Sequence, residues 1–125
     1  MKRLAVAATV LLATLSLTAA AADAAALSGT YQTKLGGQLK GTWTIKFSHG
    51  NYKVSDNGKA LVRGTYTISG STIKLGHERG PLACSSTGTY RFKLSGSQLR
   101  FTRVSDGAAS CAGRAAVLKG HFTKV

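Results

Sequence analysis

The sequence predicts an all-β protein, an eight-stranded antiparallel up-and-down barrel with a short helix before the last strand. Three observations predict it. Apolar and polar residues alternate with period two along most of the chain after residue 28. Short turns rich in Gly, Asn and Ser separate these runs, so sequence neighbours pair as hairpins. Closing such a meander into a barrel removes the two open sheet edges.

The strands and turns follow one another at short intervals. Trp43, Ile45 and Phe47 lie on one face of the second strand, and Thr44 and Lys46 lie on the other. The predicted strands cover about 29–34, 40–48, 51–55, 60–68, 72–76, 87–94, 98–104 and 121–125, with longer links at 77–86 and 105–120 and a short helix over Ala112 to Leu118.

A Gly-Thr-aromatic motif recurs at Gly29, Gly41, Gly64 and Gly88. From the second copy onward the spacing is 23 and then 24 residues. Each of those copies opens a strand, a Gly-containing turn and a return strand, so the repeating unit is a β-hairpin. The copies are too few and the period is too short for propeller blades.

The N-terminal segment predicts a secretory signal. A basic start at Lys2-Arg3 precedes an apolar run over 4–17, and Ala22-Asp23-Ala24 fits a small-x-small cleavage pattern. We therefore predict a signal peptide over 1–24, a barrel domain over 25–125 and a secreted product. The alternative is an uncleaved membrane anchor, for which the apolar run is short.

The predicted exported part is strongly basic. After removal of residues 1–24 the chain keeps 15 of its 17 Lys and Arg and three of its four Asp and Glu, a net charge of about +12. A charge of this size bears on partners and solubility and not on the fold. The length of 125 residues excludes a multidomain enzyme or a TIM barrel.

Two cysteines, Cys84 and Cys111, lie in the predicted exported part. An even number in an oxidising compartment favours one disulfide, which here closes a loop of about 28 residues. The alternative is two separate thiols or a catalytic cysteine, and no neighbouring residue favours a reactive thiolate.

Several segments together carry a resemblance to a known family. They are Gly41-Thr42-Trp43, the order of hairpins from there to the C-terminus, and the late Cys111-Ala112-Gly113-Arg114. The stretch resembles the calycin superfamily, most closely the small lipocalin-like domains of exported bacterial proteins. The resemblance implies a ligand-binding or carrier barrel in which the Trp of the early Gly-x-Trp packs near an Arg from a late strand. Arg103 and Arg114 both fit that position.

The predicted barrel interior is the first candidate site. Eight strands enclose either a filled core or room for one small ligand, and the sequence leaves both open. Arg103 follows Leu99 and Phe101 in parity, so we expect it to point inward, either to anchor a ligand carboxylate or to stack on Trp43. Arg114 carries the same alternatives, with a plain surface position as a third. The predicted ligand contacts are Trp43, Tyr66, Tyr90, Phe101 and Arg103; the other inward residues are Tyr31, Ile45, Phe47, Tyr52, Val54, Val62, Ile68, Ile73, Leu75, Phe92, Leu94, Leu99 and Phe122.

The outer face is the second candidate site, because basic residues from six predicted strands share the outward parity. They suggest attraction to a polyanion or anionic surface, such as nucleic acid, a wall polymer, anionic lipid or an acidic protein. The alternative is an ordinary soluble surface, favoured because no exposed aromatic residues are interleaved to stack on bases. The basic residues are Lys46, Lys53, Arg63, Lys74, Arg91, Lys93 and Arg100.

Catalytic and metal chemistry find little support in the sequence. The three histidines are scattered without metal-ligand spacing, and His77-Glu78 is a weak acid/base hint. The mature carboxylates, Asp56, Glu78 and Asp106, are expected in turns or loops. No nucleophile elbow, P-loop or dinucleotide fingerprint occurs. We therefore predict no metal, no cofactor and no enzymatic activity.

The sequence as a whole predicts a secreted, monomeric, disulfide-closed barrel that binds a small apolar or amphiphilic acid. In this hypothesis Arg103 orients the acid and the four aromatic contact residues hold its body. The alternative is a basic protein that adheres to polyanions or cell surfaces through its outer charge.

Overall fold

The structure is a computed structural model, and it describes residues 27–125. The predicted signal peptide and its cleavage site lie outside the described residues. Within them, eight antiparallel strands close into a barrel in sequential order. The elements are β1 (Gly29–Leu35), β2 (Gly41–Ser48), β3 (Asn51–Asp56), β4 (Lys59–Ser69), β5 (Thr72–Arg79), β6 (Gly88–Ser95), β7 (Gln98–Ser105), helix α1 (Ala112–Leu118) and β8 (Phe122–Lys124), with 3-10 turns at Gly37–Leu39 and Ala109–Cys111.

The predicted fold class is confirmed, including the position of the helix. Most strand ends lie within one residue of those predicted, because the period-two pattern and the Gly turns mark them directly. The exception is β5, which continues to Arg79 where a loop was predicted. There it still pairs with β4, Arg63 opposite Arg79, across an irregularity in the register.

The shortest strand, β8, closes the barrel. Phe122 pairs with Leu99 of β7, and Lys124 pairs with Tyr31 of β1. The N–H of Val125 adds a bond to the carbonyl of Thr30 at 2.9 Å. Strand β8 pairs with only two residues of each neighbour, so β7 continues beyond Leu99 without a partner from β8.

Aromatic rings fill the side of the barrel formed by β6, β7, β8 and β1. Phe101 meets Tyr90 and Phe122 edge to face, with ring centroids 6.3 and 5.9 Å apart. Tyr31 meets Phe47 of β2 in the same way at 6.2 Å. Edge-to-face contacts of this kind add to the stabilisation from apolar burial. This half of the interior is therefore a packed core.

Helix α1 covers one end of the barrel. Its Ala115, Val117 and Leu118 are buried, and the last two belong to the main hydrophobic core. In residues 27–125 no helix is long and apolar enough to cross a membrane.

Candidate ligand-binding cavity

A cavity of about 440 Å³ lies inside the barrel beneath α1. Its lining comes from β2 to β5, from the connections on either side of them and from α1, whereas β1, β6, β7 and β8 contribute none of it. The volume lies within the range of small-molecule sites. The interior is thus packed on one side and hollow on the other. Apolar lining residues are Leu39, Trp43, Ile45, Phe47, Val54, Val62, Leu75, Val117 and Leu118.

The rim of the cavity includes the β5–β6 connection. Pro81, Leu82 and Ala83 line it there, and Leu82 is 56% exposed. Ser110 in the 3-10 turn before α1 and Gly113 in the first turn of α1 also line the cavity. The Cys84–Cys111 disulfide joins these two lining segments.

A buried polar cluster forms one wall. Nη1 of Arg114 donates to Oε2 of Glu78 at 3.1 Å, while Nε and Nη2 donate to the two carboxylate oxygens of Asp106 at 2.9 and 2.7 Å. The hydroxyl of Tyr52 donates to Glu78, and that of Tyr90 donates to Asp106. We call these five residues the Arg114 cluster. Arg114, Glu78 and Tyr52 face the cavity, and Asp106 and Tyr90 lie behind them.

The disulfide and the backbone hold this cluster in place. The predicted bond between Cys84 and Cys111 is confirmed, with their Cα atoms 5.0 Å apart. It joins the β5–β6 connection to the residue that precedes α1. The N–H of Cys84 donates to Oε1 of Glu78 at 2.8 Å, and Nη2 of Arg114 donates to the carbonyl of Ser86, also at 2.8 Å. Glu78 and Arg114 are therefore held both by a backbone group and by each other.

Burial and hydrogen bonding set the protonation of the cluster. Burial alone would raise the pKa of Asp106, but hydrogen bonds from Arg114 and Tyr90 outweigh it and lower the pKa. Burial, with hydrogen bonds to the carboxylates, raises the pKa of Tyr52 and Tyr90. For Arg114, burial would lower the pKa, yet the bonds to Asp106 and Glu78 raise it. At neutral pH the phenols are neutral and the guanidinium is charged.

An irregularity in β5 turns Glu78 inward. Alternation from Ile73 and Leu75 would place His77 inside and Glu78 outside. Instead, two residues of β5, His77 and Glu78, lie opposite the single residue Gly64 of β4, and His77 has a positive φ of 53°. The extra residue reverses the alternation, so His77 is exposed and the Glu78 side chain is only 2% exposed. Such bulges commonly re-aim a side chain.

Two glycines of the repeated motif make room for the cluster. A Cβ on Gly64 would lie 2.7 Å from the ring of Tyr52, and a Cβ on Gly88 would lie 2.8 Å from Nη2 of Arg114 and from Asp106. The backbone of β4 and β6 must therefore approach these side chains more closely than any other residue permits.

The structure separates the predicted ligand contacts. Trp43 lines the cavity, and its Nε1 donates to the carbonyl of Leu39 at 2.7 Å. Tyr66 and Phe101 are half-buried against the core, and Tyr90 belongs to the Arg114 cluster; none of these three lines the cavity. Arg103 pairs with the buried Tyr90, as its predicted parity implies, and its charge helps to lower the pKa of Asp106, but its side chain is exposed and does not line the cavity. Strand β8 pairs with β7 at Gln98 and Leu99, so nothing from β8 covers β7 near Arg103.

Three cluster residues escaped the sequence analysis in different ways. Arg114 was considered, with a surface position among its alternatives, but its side chain is 7% exposed. Glu78 and Asp106 were expected in turns or loops; Glu78 lies within β5, and Asp106 directly follows β7 and is buried. The sequence signal for the cluster was the small number of carboxylates: residues 27–125 contain three Asp and Glu beside 15 Lys and Arg, and a buried acid needs a buried base.

The predicted outer basic residues are all exposed. Part of this surface has a pattern that parity alone did not indicate. Lys46 lies directly opposite Lys53, Lys53 opposite Arg63, and Arg63 opposite Arg79. We call these four the basic row; it crosses the outer face of β2 to β5, whose inner face lines the cavity. Within residues 27–125 the ion pairs are those of Arg114, so no carboxylate neutralises the row.

The sulfur atoms of the disulfide lie close to Asp106, which places three potential metal-ligand residues within one small volume. Both sulfurs are bonded to each other and the Asp106 carboxylate is bonded to Arg114 and Tyr90. The group is therefore structural as it stands.

The described part of the chain defines a class of protein by its architecture: a small, closed, eight-stranded antiparallel barrel with an internal cavity, consistent with a lipocalin-like fold. No protein family, no curated protein and no solved structure matches the chain.

Proposed function

We propose that this protein is a non-catalytic binding protein that holds one small apolar or amphiphilic molecule inside its barrel. The observation that carries the proposal is the cavity of about 440 Å³, apolar over most of its wall and polar at the Arg114 cluster. Apolar walls with a few fixed polar groups are typical of ligand sites. We also propose that the barrel is related to the lipocalin-like domains that its sequence resembles.

Binding is favoured over catalysis by the state of the polar groups. Both carboxylates of the cluster accept hydrogen bonds from Arg114 and from a tyrosine. A general acid or base must be able to exchange its proton with a substrate. Carboxylates that accept hydrogen bonds from a guanidinium in this way are suited to holding the polar side of the cavity in one conformation.

Secretion remains part of the proposal. It is supported by the Cys84–Cys111 disulfide, because such bonds persist in oxidising compartments. The segment that carries the predicted signal lies outside the described residues.

A neutral dye tests the cavity without interference from the basic exterior. We expect 1-aminoanthracene to bind the disulfide-intact protein with one site and increased fluorescence. Val117→Phe should abolish this binding, because Val117 is buried and lines the cavity, so the larger side chain takes up cavity volume. Ala112→Phe, on an exposed position of the same helix and not part of the lining, is the matched control and should bind as the wild type does. Equal binding by both variants, or none by the wild type, would contradict the proposal.

A second candidate function uses the exterior, and the basic row is the observation that favours it. Four cations in direct register sit on strands about 4.8 Å apart, which is costly unless a counter-charge binds. We propose polyanion binding through this row. Lys53→Gln/Arg63→Gln should elute from immobilised heparin at clearly lower salt than Lys74→Gln/Arg91→Gln, whose two cations have threonines opposite them. If both double variants elute at equally lowered salt, net charge alone explains the binding and the proposed role of the basic row is wrong.

A further inference from the structure

The lining of the cavity reaches the surface of the barrel in two segments. Four lining residues are exposed, and every other one is buried or half-buried. The exposed four are Pro81 and Leu82 in the β5–β6 connection, Ser110 in the 3-10 turn before α1 and Gly113 in α1. The Cys84–Cys111 disulfide joins the two segments. We call these four residues the entrance.

A large apolar side chain is exposed at the entrance. Leu82 is 56% exposed, whereas the other large apolar side chains exposed within residues 27–125, Val104 and Val125, lie outside the cavity lining. The N–H of Leu82 donates to the carbonyl of Leu61 in β4 at 3.2 Å. Gly80 lies against the same carbonyl, since a Cβ there would be 2.4 Å from its oxygen. The backbone of β4 therefore holds Leu82 at the surface.

Two cations of the basic row adjoin the entrance. Arg63 and Arg79 lie directly opposite each other, and both line a shallow groove of about 150 Å³ beside the cavity. Val62 and Pro81 line the groove and the cavity alike. Both arginines are exposed, and neither belongs to an ion pair within residues 27–125. Pro81 therefore connects the apolar entrance with the basic row.

We propose that the entrance docks on a lipid bilayer that contains anionic lipids, with Leu82 in the interfacial region and Arg63 and Arg79 against the lipid phosphates. Proteins that lie on membranes combine apolar side chains with cations in this way. The inference rests on the polyanion binding proposed for the basic row and names the partner. An apolar ligand concentrates in a bilayer, so docking here brings the cavity to its ligand.

The exposed leucine favours a bilayer over a soluble polyanion. A nucleic acid or an acidic polysaccharide is attracted by cations but offers no apolar phase for Leu82 to enter. Stacking on bases is not available either, because no Phe, Tyr or Trp within residues 27–125 is exposed. A bilayer with anionic lipids matches both the apolar and the basic part of this surface.

Co-sedimentation with lipid vesicles tests the docking. The disulfide-intact protein should bind phosphatidylcholine vesicles that contain phosphatidylglycerol and should bind vesicles of phosphatidylcholine alone much more weakly. Leu82→Asn should weaken the binding about fivefold or more, because it removes the apolar side chain that enters the bilayer. Val104→Asn is the matched control, since Val104 is 53% exposed and lies outside the lining, and it should bind as the wild type does. Equal binding by these two variants would contradict the inference.

A pair of charge variants tests the cations. Each Lys or Arg near an anionic membrane strengthens binding about fivefold, so Arg63→Gln/Arg79→Gln should weaken vesicle binding by about tenfold or more. Lys74→Gln/Arg91→Gln removes the same charge from residues that line neither the groove nor the cavity, and it should lose clearly less. Equal losses would show that net charge alone attracts the vesicles and would overturn the docking geometry.

The outcomes separate the inference from the proposed functions. A protein that is retained on heparin through the basic row but does not bind anionic vesicles keeps polyanion binding and refutes the membrane partner. Equal binding to vesicles with and without phosphatidylglycerol also refutes it. The cavity function is tested separately by 1-aminoanthracene, and the wild-type vesicle series does not depend on whether any variant folds.

Discussion

Arg114 shows why a side chain's neighbours matter more than its parity. Alternation along β7 predicted that Arg103 points inward, because Arg103 has the same parity as Leu99 and Phe101. The register does pair Arg103 with the inward Tyr90. However, β7 pairs with β8 only at Gln98 and Leu99, and Arg103 is exposed. Arg114 lies on a helix, where period two gives no information.

Replacing Arg114 tests whether the cluster is a unit. Arg114→Met keeps most of the side-chain length and leaves Glu78 and Asp106 buried without their cation. We expect the free energy of unfolding to fall by about 3 to 5 kcal/mol, because an uncompensated buried charge is costly. Urea denaturation measures it, with Arg91→Met on the exposed face as the control. A loss below about 1 kcal/mol would mean that the cluster adds little to stability.

The lowered pKa of Asp106 predicts a loss of stability in acid. A carboxyl whose pKa is lower in the folded state stabilises the fold above its ordinary value, near pH 4. That contribution disappears as the pH falls further, through the folded-state pKa. The free energy of unfolding should therefore depend more steeply on pH between about 4 and 2 in the wild type than in Asp106→Asn. Identical slopes in the wild type and in Asp106→Asn would contradict the prediction.

The bulge in β5 is the element that a regular alternation cannot predict. Its sequence contains no glycine at the position of positive φ; His77 takes that conformation, and its Nδ1 lies 3.0 Å from the hydroxyl oxygen of Thr65. The bulge brings Glu78 to the cavity, so one irregular residue pair creates the polar wall.

Substitutions at His77 test the conformation of this bulge. A β-branched residue is strained at positive φ, so His77→Val should destabilise the protein by about 1 to 2 kcal/mol. His77→Gly should leave stability unchanged or raise it slightly, because glycine adopts this conformation readily. Thermal and urea unfolding give both values. A stable Val variant together with a destabilised Gly variant would rule out the left-handed conformation.

The architecture was more accessible from sequence than the site. Alternating residues and Gly turns are local signals, and they predicted the barrel, the helix and seven of the eight strands to within a residue at each end. The cavity depends on how side chains from distant strands share one volume. Tyr66 and Phe101 have the inward parity, but they pack against other aromatic rings. The strand residues that line the cavity come from β2 to β5, and neither Tyr66 nor Phe101 is among them.

The uneven charge of the whole molecule predicts a salt response. Because the basic row places like charges directly opposite one another, NaCl should raise the melting temperature by screening them. The increase should be smaller in Lys53→Gln/Arg63→Gln than in Lys74→Gln/Arg91→Gln, which has the same net charge. A melting temperature that does not respond to salt, or equal responses of the two variants, would contradict the prediction.

The hollow side of the barrel can be tested most directly by methyl NMR of the disulfide-intact protein during titration with 1-aminoanthracene. The account predicts that methyl signals of Val54, Val62, Leu75 and Leu118, which line the cavity, shift together and saturate at one equivalent. Methyl signals of Leu94 and Leu99, outside the lining, should stay in place. Shifts confined to exposed residues such as Val104, or none at all, would show that the barrel takes up no ligand there.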